Sequence, residues 1–392
     1  MRLECPLATR CSGCDRIELN RAELESDRLR ELEALGLTSA NSKRIPIEFS
    51  WIDAGALRDR LEFTRTPTAF GLFDRSRAEI VDIESCPQLT PELQDWLREF
   101  RRDLPSVHSP RSIRLRVSPS GLRGAWLDFA NEDIRDLLED GTWLERQLEK
   151  NIVIEVGQKR KRVVRAEPSE PGSDKPSRRH KLVDPILEAW FETHTEVAGR
   201  KENAALFSTI GTFTQVGFRA NHALIDAVMN HARGFKRVAE FGAGIGNFTL
   251  PLLSTGAHVD VFESDRLALS ALEKGVAEAK LDASKLQIHA GDFILSAKAA
   301  ERALNSESAS KPVYDLVVVD PPRPGVGLFI NAISAHAAHA SWVYVSCYPE
   351  SLAKDTKALQ EKGLELERLT VVEQFPFTRH FEVVASFKPT TR

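Results

Sequence analysis

The sequence predicts an α/β protein whose carboxy-terminal half, from about residue 200, builds a mostly parallel sheet flanked by helices. Three observations lead there. Apolar runs (RVAEFGA, HVDVFES, KLQIHAG, YDLVVVD, SWVYVSC and LTVVEQF) alternate with helical stretches of ordinary length, the pattern of βα units buried on both faces. The stretch VAEFGAGIGNFTLPL reads as a strand, a glycine turn and the start of a helix. The terminal HFEVVASF follows the preceding strand with no helix between them, which predicts an antiparallel last strand.

The amino-terminal half has another texture. Residues 1 to about 20 hold three of the five cysteines, and an amphipathic helix is expected from Asn20 to Leu35, with Gly36 as its stop. From 45 to 164, short alternating runs such as RLEFTRTPTAFGLFD, AEIVDI, SIRLRVSPSG and GAWLDFA predict a β-rich middle domain. RAEPSEPGSDKPSRRHK is almost free of apolar residues, so 165–200 reads as a linker and 201–392 as the catalytic domain. The expected first segment is then 1–44.

The bulk composition narrows the function classes. Hydrophobic residues make up 42% of the 392, charged residues 28%, and the net charge is −4. No run approaches the roughly 20 apolar residues of a membrane span, and MRLECPLATRC lacks the apolar centre of a secretory signal. Five cysteines in a chain this long do not form a disulfide framework, so a reducing, cytoplasmic setting without membrane contact is expected, as is a monomer. Any contact with nucleic acid must come from local basic patches. QKRKRVVR (158–165) and RRDLPSVHSPRSIRLR (101–116) are the candidates, although such runs commonly form solvated faces.

The candidate chemistry lies in the second half. Gly242, Gly244 and Gly246 allow a tight turn and a close ligand approach. Glu263 ends the next strand, seventeen residues after Gly246, where an acidic side chain can accept both hydroxyls of a ribose. Asp292 in AGDF reads either as a ligand contact or as a helix N-cap. Asp320 ends a buried strand in VVVDPPRPGVG, Pro321 and Pro322 stiffen the exit, and Arg323 offers a planar fork. The following strand delivers Cys347 in YVSCYPES at its tip, a place that suits a nucleophile better than core filler.

Cys5, Cys11 and Cys14 are spaced C-x5-C-x2-C, and Cys86 arrives far away in ESCP. Four thiolates can hold a tetrahedral zinc or an iron–sulfur cluster. Three close ligands with a remote Cys-Pro lean toward the cluster, while zinc and free thiols stay open. His336 and His339 share helical spacing but lack a third ligand nearby and read as ordinary helix residues.

Taken in order, these stretches resemble the RNA 5-methyluridine methyltransferases, which use S-adenosylmethionine. FTQVGFRAN is similar to the family's Phe-x-Gln-Val-Asn, and GIGNFTLPL to its Gly-x-Gly-Asn-Phe cofactor turn. DPPRPG, SCYPESLAKD and FPFTRHFEVV are similar to its Asp-Pro-Pro-Arg-x-Gly, Ser-Cys-x-Pro-x-x-Leu-x-x-Asp and Phe-Pro-x-Thr-x-His-x-Glu. The resemblance implies a Rossmann-like class I methyltransferase domain with a seven-stranded sheet. It implies Gln215, Asn247, Glu263, Asp292 and Asp320 around the cofactor, and Gly242 in the turn. It makes Cys347 the nucleophile and Glu382 the base, and it favours a [4Fe-4S] cluster on Cys5, Cys11, Cys14 and Cys86.

That chemistry is coherent, because carbon 5 of uracil becomes nucleophilic only after a thiolate adds to carbon 6, and a base must then take the carbon-5 proton. Large-subunit (23S) ribosomal RNA is the expected substrate and transfer RNA the alternative. Phe375, Phe377 and Tyr348 are candidates to stack on a flipped base, and core packing suits the phenylalanines equally. Three positions depart from the family pattern: Gly217 stands for its Asn, Tyr348 for its Asn or Asp, and Gly242 for a frequent aromatic residue. More distant readings are a nicotinamide oxidoreductase, which has no use for Cys347 with Glu382, and a non-catalytic RNA-binding protein, which would tolerate loss of Cys347.

Overall fold

The computed structural model describes residues 3–40, 43–52, 55–129, 137, 142–157, 163–168, 180–292, 314–327, 329–330 and 339–390, with the backbone alone at 40, 163–168 and 180–182. The chain folds into two compact units. One comprises Met1–Ile17, Ala54–Phe191 and Phe207–Phe218, and the other Glu18–Asp53, Glu192–Leu206 and Arg219–Arg392.

The second unit is built on an eight-stranded sheet. Its strands are β1 (Ile47–Ser50), β2 (Arg237–Phe241), β3 (His258–Glu263), β4 (Leu286–Ala290), β5 (Leu316–Val319), β6 (Ser341–Ser346), β7 (Leu364–Val372) and β8 (Glu382–Pro389), in the order β4-β3-β2-β5-β6-β8-β7-β1. From β4 through β6 every pairing is parallel. The last strand, β8, slots antiparallel between β6 and β7, as its missing crossover helix predicts. β5 is buried along its whole length, as a central parallel strand covered on both faces should be. Helices α1 (Arg21–Ala34), α2 (Phe218–His231), α3 (Thr249–Ser254), α4 (Arg266–Glu278) and α5 (Pro349–Glu361) complete the described part of the layer structure, α2 beginning one residue before the unit's boundary.

The sheet has one strand more than the seven expected, because β1 pairs in parallel with β7 at the edge. Together with α1 it belongs to this unit, so the divisions expected at 44 and 45 do not follow the compact units. The reason is hydrophobic: Leu32, Leu37 and Ile45 are buried in the same core as Trp342, Leu369 and Phe387. α1 itself starts and stops where the sequence says. The Asn20 carboxamide accepts from the Glu23 amide at 3.1 Å, the Glu23 carboxylate accepts from the Asn20 amide at 2.8 Å, and Gly36 turns left-handed at φ 74°.

The first unit carries its own eight-stranded sheet. Its order is His180–Val183, Val163–Pro168, Val153–Gly157, Arg123–Asp128, Arg111–Val117, Arg60–Arg65, Phe70–Phe73 and Ile80–Asp82. One pairing is parallel, Arg123–Asp128 with Val153–Gly157, and the helix Thr142–Glu149 lies in that crossover. Phe100 of the helix Pro91–Arg101 meets Trp96 and Trp143 edge-on and Phe70 at a tilt, and Phe70 in turn packs on Phe63, forming the apolar centre. The stretch expected as a linker, 165–200, contains strand residues at 165–168, 180–183 and 188–197, and residues 169–179 lie outside the described ones. A polar composition there does not exclude strands whose partners supply the backbone hydrogen bonds.

Candidate functional site

The glycine turn follows β2. Gly242, Gly244 and Gly246 have φ of 77°, 55° and 94°, a region where side-chain-bearing residues are strained. A Cβ on Gly244 would meet no atom within 4 Å, so the turn leaves open space above its backbone. The Gly244 amide donates to Glu263 Oε2 at 3.0 Å, which brings the end of β3 to the turn. The other oxygen of Glu263 accepts from the amides of Ser264 and Asp265 at 2.7 and 2.8 Å. Asp292 lies two residues beyond β4 and is exposed; the neighbouring Gly291 amide donates to the Glu263 carbonyl at 2.9 Å. Turn, acid and Asp292 thus share the carboxy-terminal edge of the parallel sheet, where open α/β sheets bind ligands.

Asn247 has a second commitment. Its carboxamide exchanges hydrogen bonds with that of Asn221 on α2, at 2.8 and 2.9 Å, and its carbonyl accepts from Thr193 Oγ1 at 3.0 Å. Asn221 is fully buried and ties the turn to α2. The sequence reading missed it; a polar residue at the start of the helical stretch ANHALIDAV was the available signal.

One strand further along the same edge stand Asp320, Cys347 and Glu382. The Asp320 amide donates to the Phe241 carbonyl at 3.2 Å, which fixes the end of β5 beside the glycine turn. Cys347 directly follows β6. Because β8 runs antiparallel, its first residue, Glu382, comes to the end of β6, where Ser346 pairs with Val383. Burial pushes the Cys347 thiol up to about 11, and the charges of Glu382 and Asp320 push the same way. The charge of Arg323 opposes them, and its hydrogen bond to the thiol adds to that. Burial also raises Asp320 to about 7, and it raises Glu382 well above the ordinary carboxylate range, with Asp320 adding to it. Below the turn, burial lifts Glu240 to about 8 although Thr249 Oγ1 donates to it at 2.7 Å. The edge therefore holds a thiol, two protonation-shifted carboxyls and a guanidinium.

The loops that carry these groups are pinned. Asp355 on α5 is buried and accepts from the amides of Val326 and Gly327 at 2.8 and 3.4 Å and from the Tyr344 hydroxyl at 2.7 Å. Gly325, at φ 81°, has no room for a Cβ, which would collide with the Asp355 carboxylate. Tyr348 is 42% exposed, whereas its backbone is held by Ser346 and Ser351 hydroxyls. Phe377 is buried, the core packing that the sequence equally allowed, and it turns the loop at φ 65°.

Gln215 belongs to the first unit. Its segment is strapped to the sheet face by three arginines. Arg114 donates to the Gly211 carbonyl at 2.7 Å, Arg60 to the Thr214 and Gln215 carbonyls at 2.5 and 3.3 Å, and Arg116 to Thr214 Oγ1 at 3.1 Å. The arginine-rich run 101–116 is accordingly turned inward in large part. Arg116 is fully buried, Arg101 pairs with Asp82 and Arg114 with Glu62, so much of the charge of this run is committed within the protein. A Cβ at Gly217 would collide with the Leu57 carbonyl, which explains why this chain has glycine where the family pattern has Asn. The other basic run lies outside the described residues at 158–162, and so does His336.

The four remaining cysteines are free and half-buried, all within the first unit. Backbone bonds assemble the site: Ser12 N donates to the Phe73 carbonyl at 3.0 Å, and Ala56, Leu57 and Arg58 donate to the carbonyls of Pro87 and Gln88 beside Cys86. Burial and then the charge of Cys86 raise Cys14 to about 12; burial also raises Cys11 and Cys86, each of which senses Cys5. Arg58 lies within electrostatic reach of Cys14 and Cys86. Among the described residues no three His, Cys, Asp or Glu side chains are arranged to hold a single metal ion.

Comparison with known proteins decides the family. Residues 181–388 match the family described as tRNA (uracil-5-)-methyltransferase. An uncharacterized RNA methyltransferase of Bdellovibrio bacteriovorus is 34% identical over 97% of this chain and 94% of its own length. The chain belongs to the RNA uracil-5-methyltransferase family. It is an S-adenosylmethionine-dependent enzyme that methylates carbon 5 of uracil in RNA. Among the members of the family, the 23S rRNA (uracil(1939)-C(5))-methyltransferase of Shewanella woodyi is 24% identical over 98% of this chain and 81% of its own. The crystal structure of the Pyrococcus abyssi tRNA (uracil-54, C5)-methyltransferase with S-adenosyl-L-homocysteine shares the fold. Its TM-score is 0.65 at 18% identity, covering 98% of this chain and 87% of that one. The class I methyltransferase architecture of this uracil-5-methyltransferase is thereby established, and the oxidoreductase and non-catalytic readings fall away.

Proposed function

We propose that the chain methylates a uridine of 23S ribosomal RNA by a covalent route, with Cys347 as nucleophile and Glu382 as base. The carrying observation is that β6 and β8, running in opposite directions, bring Cys347 and Glu382 to one end of the sheet, with the Cys347 thiol within reach of the Glu382 charge. S-adenosylmethionine supplies the methyl group as a sulfonium. The open glycine turn with Gly242, together with Glu263, Asn247 and Asp292, would hold it, and Asp320 would face both cofactor and base.

The Cys347 sulfur forms a bond to carbon 6, and the carbon 5–carbon 6 π pair moves toward the carbon-4 oxygen. Carbon 5 then attacks the sulfonium methyl, whose C–S bond breaks with its electron pair staying on the departing thioether sulfur. Glu382 removes the carbon-5 proton, the C–H pair restores the double bond, and the thiolate leaves carbon 6. Its raised affinity for a proton suits Glu382 to that role. Arg323 holds the thiol through the hydrogen bond that favours its ionised form.

Ribosomal RNA is favoured because relatives matched over nearly the whole chain are named for 23S rRNA, whereas the transfer RNA enzyme is a likeness of fold. We further propose that Cys5, Cys11, Cys14 and Cys86 hold a [4Fe-4S] cluster in this cytoplasmic monomer. Cys11, Cys14 and Cys86 each sense another of these thiols, and three close ligands with a remote Cys-Pro suit a cluster. Labelled S-adenosylmethionine offered to unmodified 23S rRNA and to tRNA, followed by nucleoside digestion, tests the substrate. Label in 5-methyluridine from 23S rRNA alone is the expected result; label from tRNA alone would overturn it.

A further inference from the structure

The loop from Glu373 to Phe381 leads from β7 into Glu382, and one side chain of α1 grips it at three points. Arg28 is fully buried. Its Nε donates to Glu373 Oε1 at 2.8 Å and its Nη2 to Glu373 Oε2 at 3.4 Å. Nη2 also donates to the Thr378 carbonyl at 2.5 Å, and the guanidinium lies 4.7 Å from the centre of the Phe381 ring. Glu373 is the first residue after β7 and Phe381 the last before Glu382, so the two ends of the loop and its middle converge on one planar group. Between them Phe377 sits at φ 65°, a conformation that a bulky residue keeps only when its surroundings impose it. Thr378 reinforces the turn, its hydroxyl donating to the Phe375 carbonyl at 2.9 Å.

A buried Arg–Glu pair contributes little net stability, because desolvation of both charges offsets their attraction. Its value lies in geometry, and here the geometry ends at the base. We propose that Arg28 is a positioning residue for Glu382, fixing the 373–381 loop so that the carboxylate meets the carbon-5 proton of the methylated adduct. This rests on the assignment of Cys347 and Glu382 made above. Addition of Cys347 and methyl transfer do not need Glu382; removal of the proton and release of the product do. Loosening the clamp therefore slows one step only.

The test uses the full-length protein with in vitro transcribed, unmodified 23S rRNA. Arg28→Lys keeps the charge but loses the fork that serves Glu373 and Thr378 together. Arg28→Met/Glu373→Leu removes both charges, so no unpaired ion is left buried. Each variant is checked for its melting temperature and RNA affinity, then for turnover and for a protein–RNA band on a denaturing gel. Unchanged RNA binding, one methyl transferred per enzyme, turnover about 100-fold slower and an accumulating adduct are expected for the folded variants. Wild-type turnover, or lost turnover with no adduct, would overturn the proposal, and so would failure of both variants to fold. Glu382→Gln is the control. If it releases product as the wild type does, the base assignment itself fails; if it accumulates adduct while the Arg28 variants do not, only the clamp fails.

Discussion

Arg323 gives the most direct reading of single-residue chemistry. Its hydrogen bond and charge pull the Cys347 thiol down against burial and two carboxylates. In Arg323→Gln the thiol pKa rises further, so the thiolate fraction at neutral pH falls. A pKa higher by one means about tenfold slower adduct formation, and with the thiol near 11 that ratio holds through the neutral and mildly alkaline range. A stopped-flow series from pH 6.5 to 9.5 measures it: both enzymes should speed up with pH at a constant ratio, and equal rates would show that Arg323 acts otherwise. Asp320 and Cys347 were legible as residues because each ends an apolar run, whereas Glu382 was legible only through the resemblance that FPFTRHFEVV carries. Arg28 was not legible. Its partner Glu373 is 345 positions away, and no local pattern distinguishes a buried guanidinium from one that faces water.

At the scale of elements, the loop after β5 depends on α5. Gly325→Ala would add a Cβ that has no room against the Asp355 carboxylate and would strain a left-handed backbone. Methylation is expected to fall about 100-fold, as a displaced catalytic loop implies, while the melting temperature drops by roughly 5 °C. Equal collapse of both would mean that the loop is structural and nothing more. Here the sequence was informative about what and silent about why. The Asn20 cap, the glycine turn and the antiparallel β8 all follow from local rules. Asn221 holding Asn247, and Asp355 holding Val326 and Gly327, are contacts between elements and have no signature of their own. The extra strand β1 escaped notice for the same reason: Ile47–Ser50 looks like any short β run, and its pairing with β7 decides which sheet it joins.

At the scale of the whole molecule, two units divide the labour of folding. In the first, residues 3–14 have no helix or strand of their own and meet the rest through Leu7 and Cys11 at the edge of the core and a few hydrogen bonds, so a metal centre there should stabilise them. Protein purified without oxygen is expected to absorb near 400 nm and to carry about four irons. Cys14→Ser should lose both and leave residues 1–17 open to limited proteolysis. A full iron content in that variant would remove Cys14 from the ligand set.

The central claim is the covalent route, and RNA containing 5-fluorouridine tests it most directly. With fluorine at carbon 5 Glu382 has no proton to remove, so the methylated adduct cannot break down. Incubation with S-adenosylmethionine should give, by mass spectrometry of the denatured mixture, a species equal to enzyme plus RNA plus one methyl group. It should be absent in Cys347→Ala. Methylation of ordinary RNA by Cys347→Ala at the wild-type rate, with no trapped species in the wild type, would contradict the account.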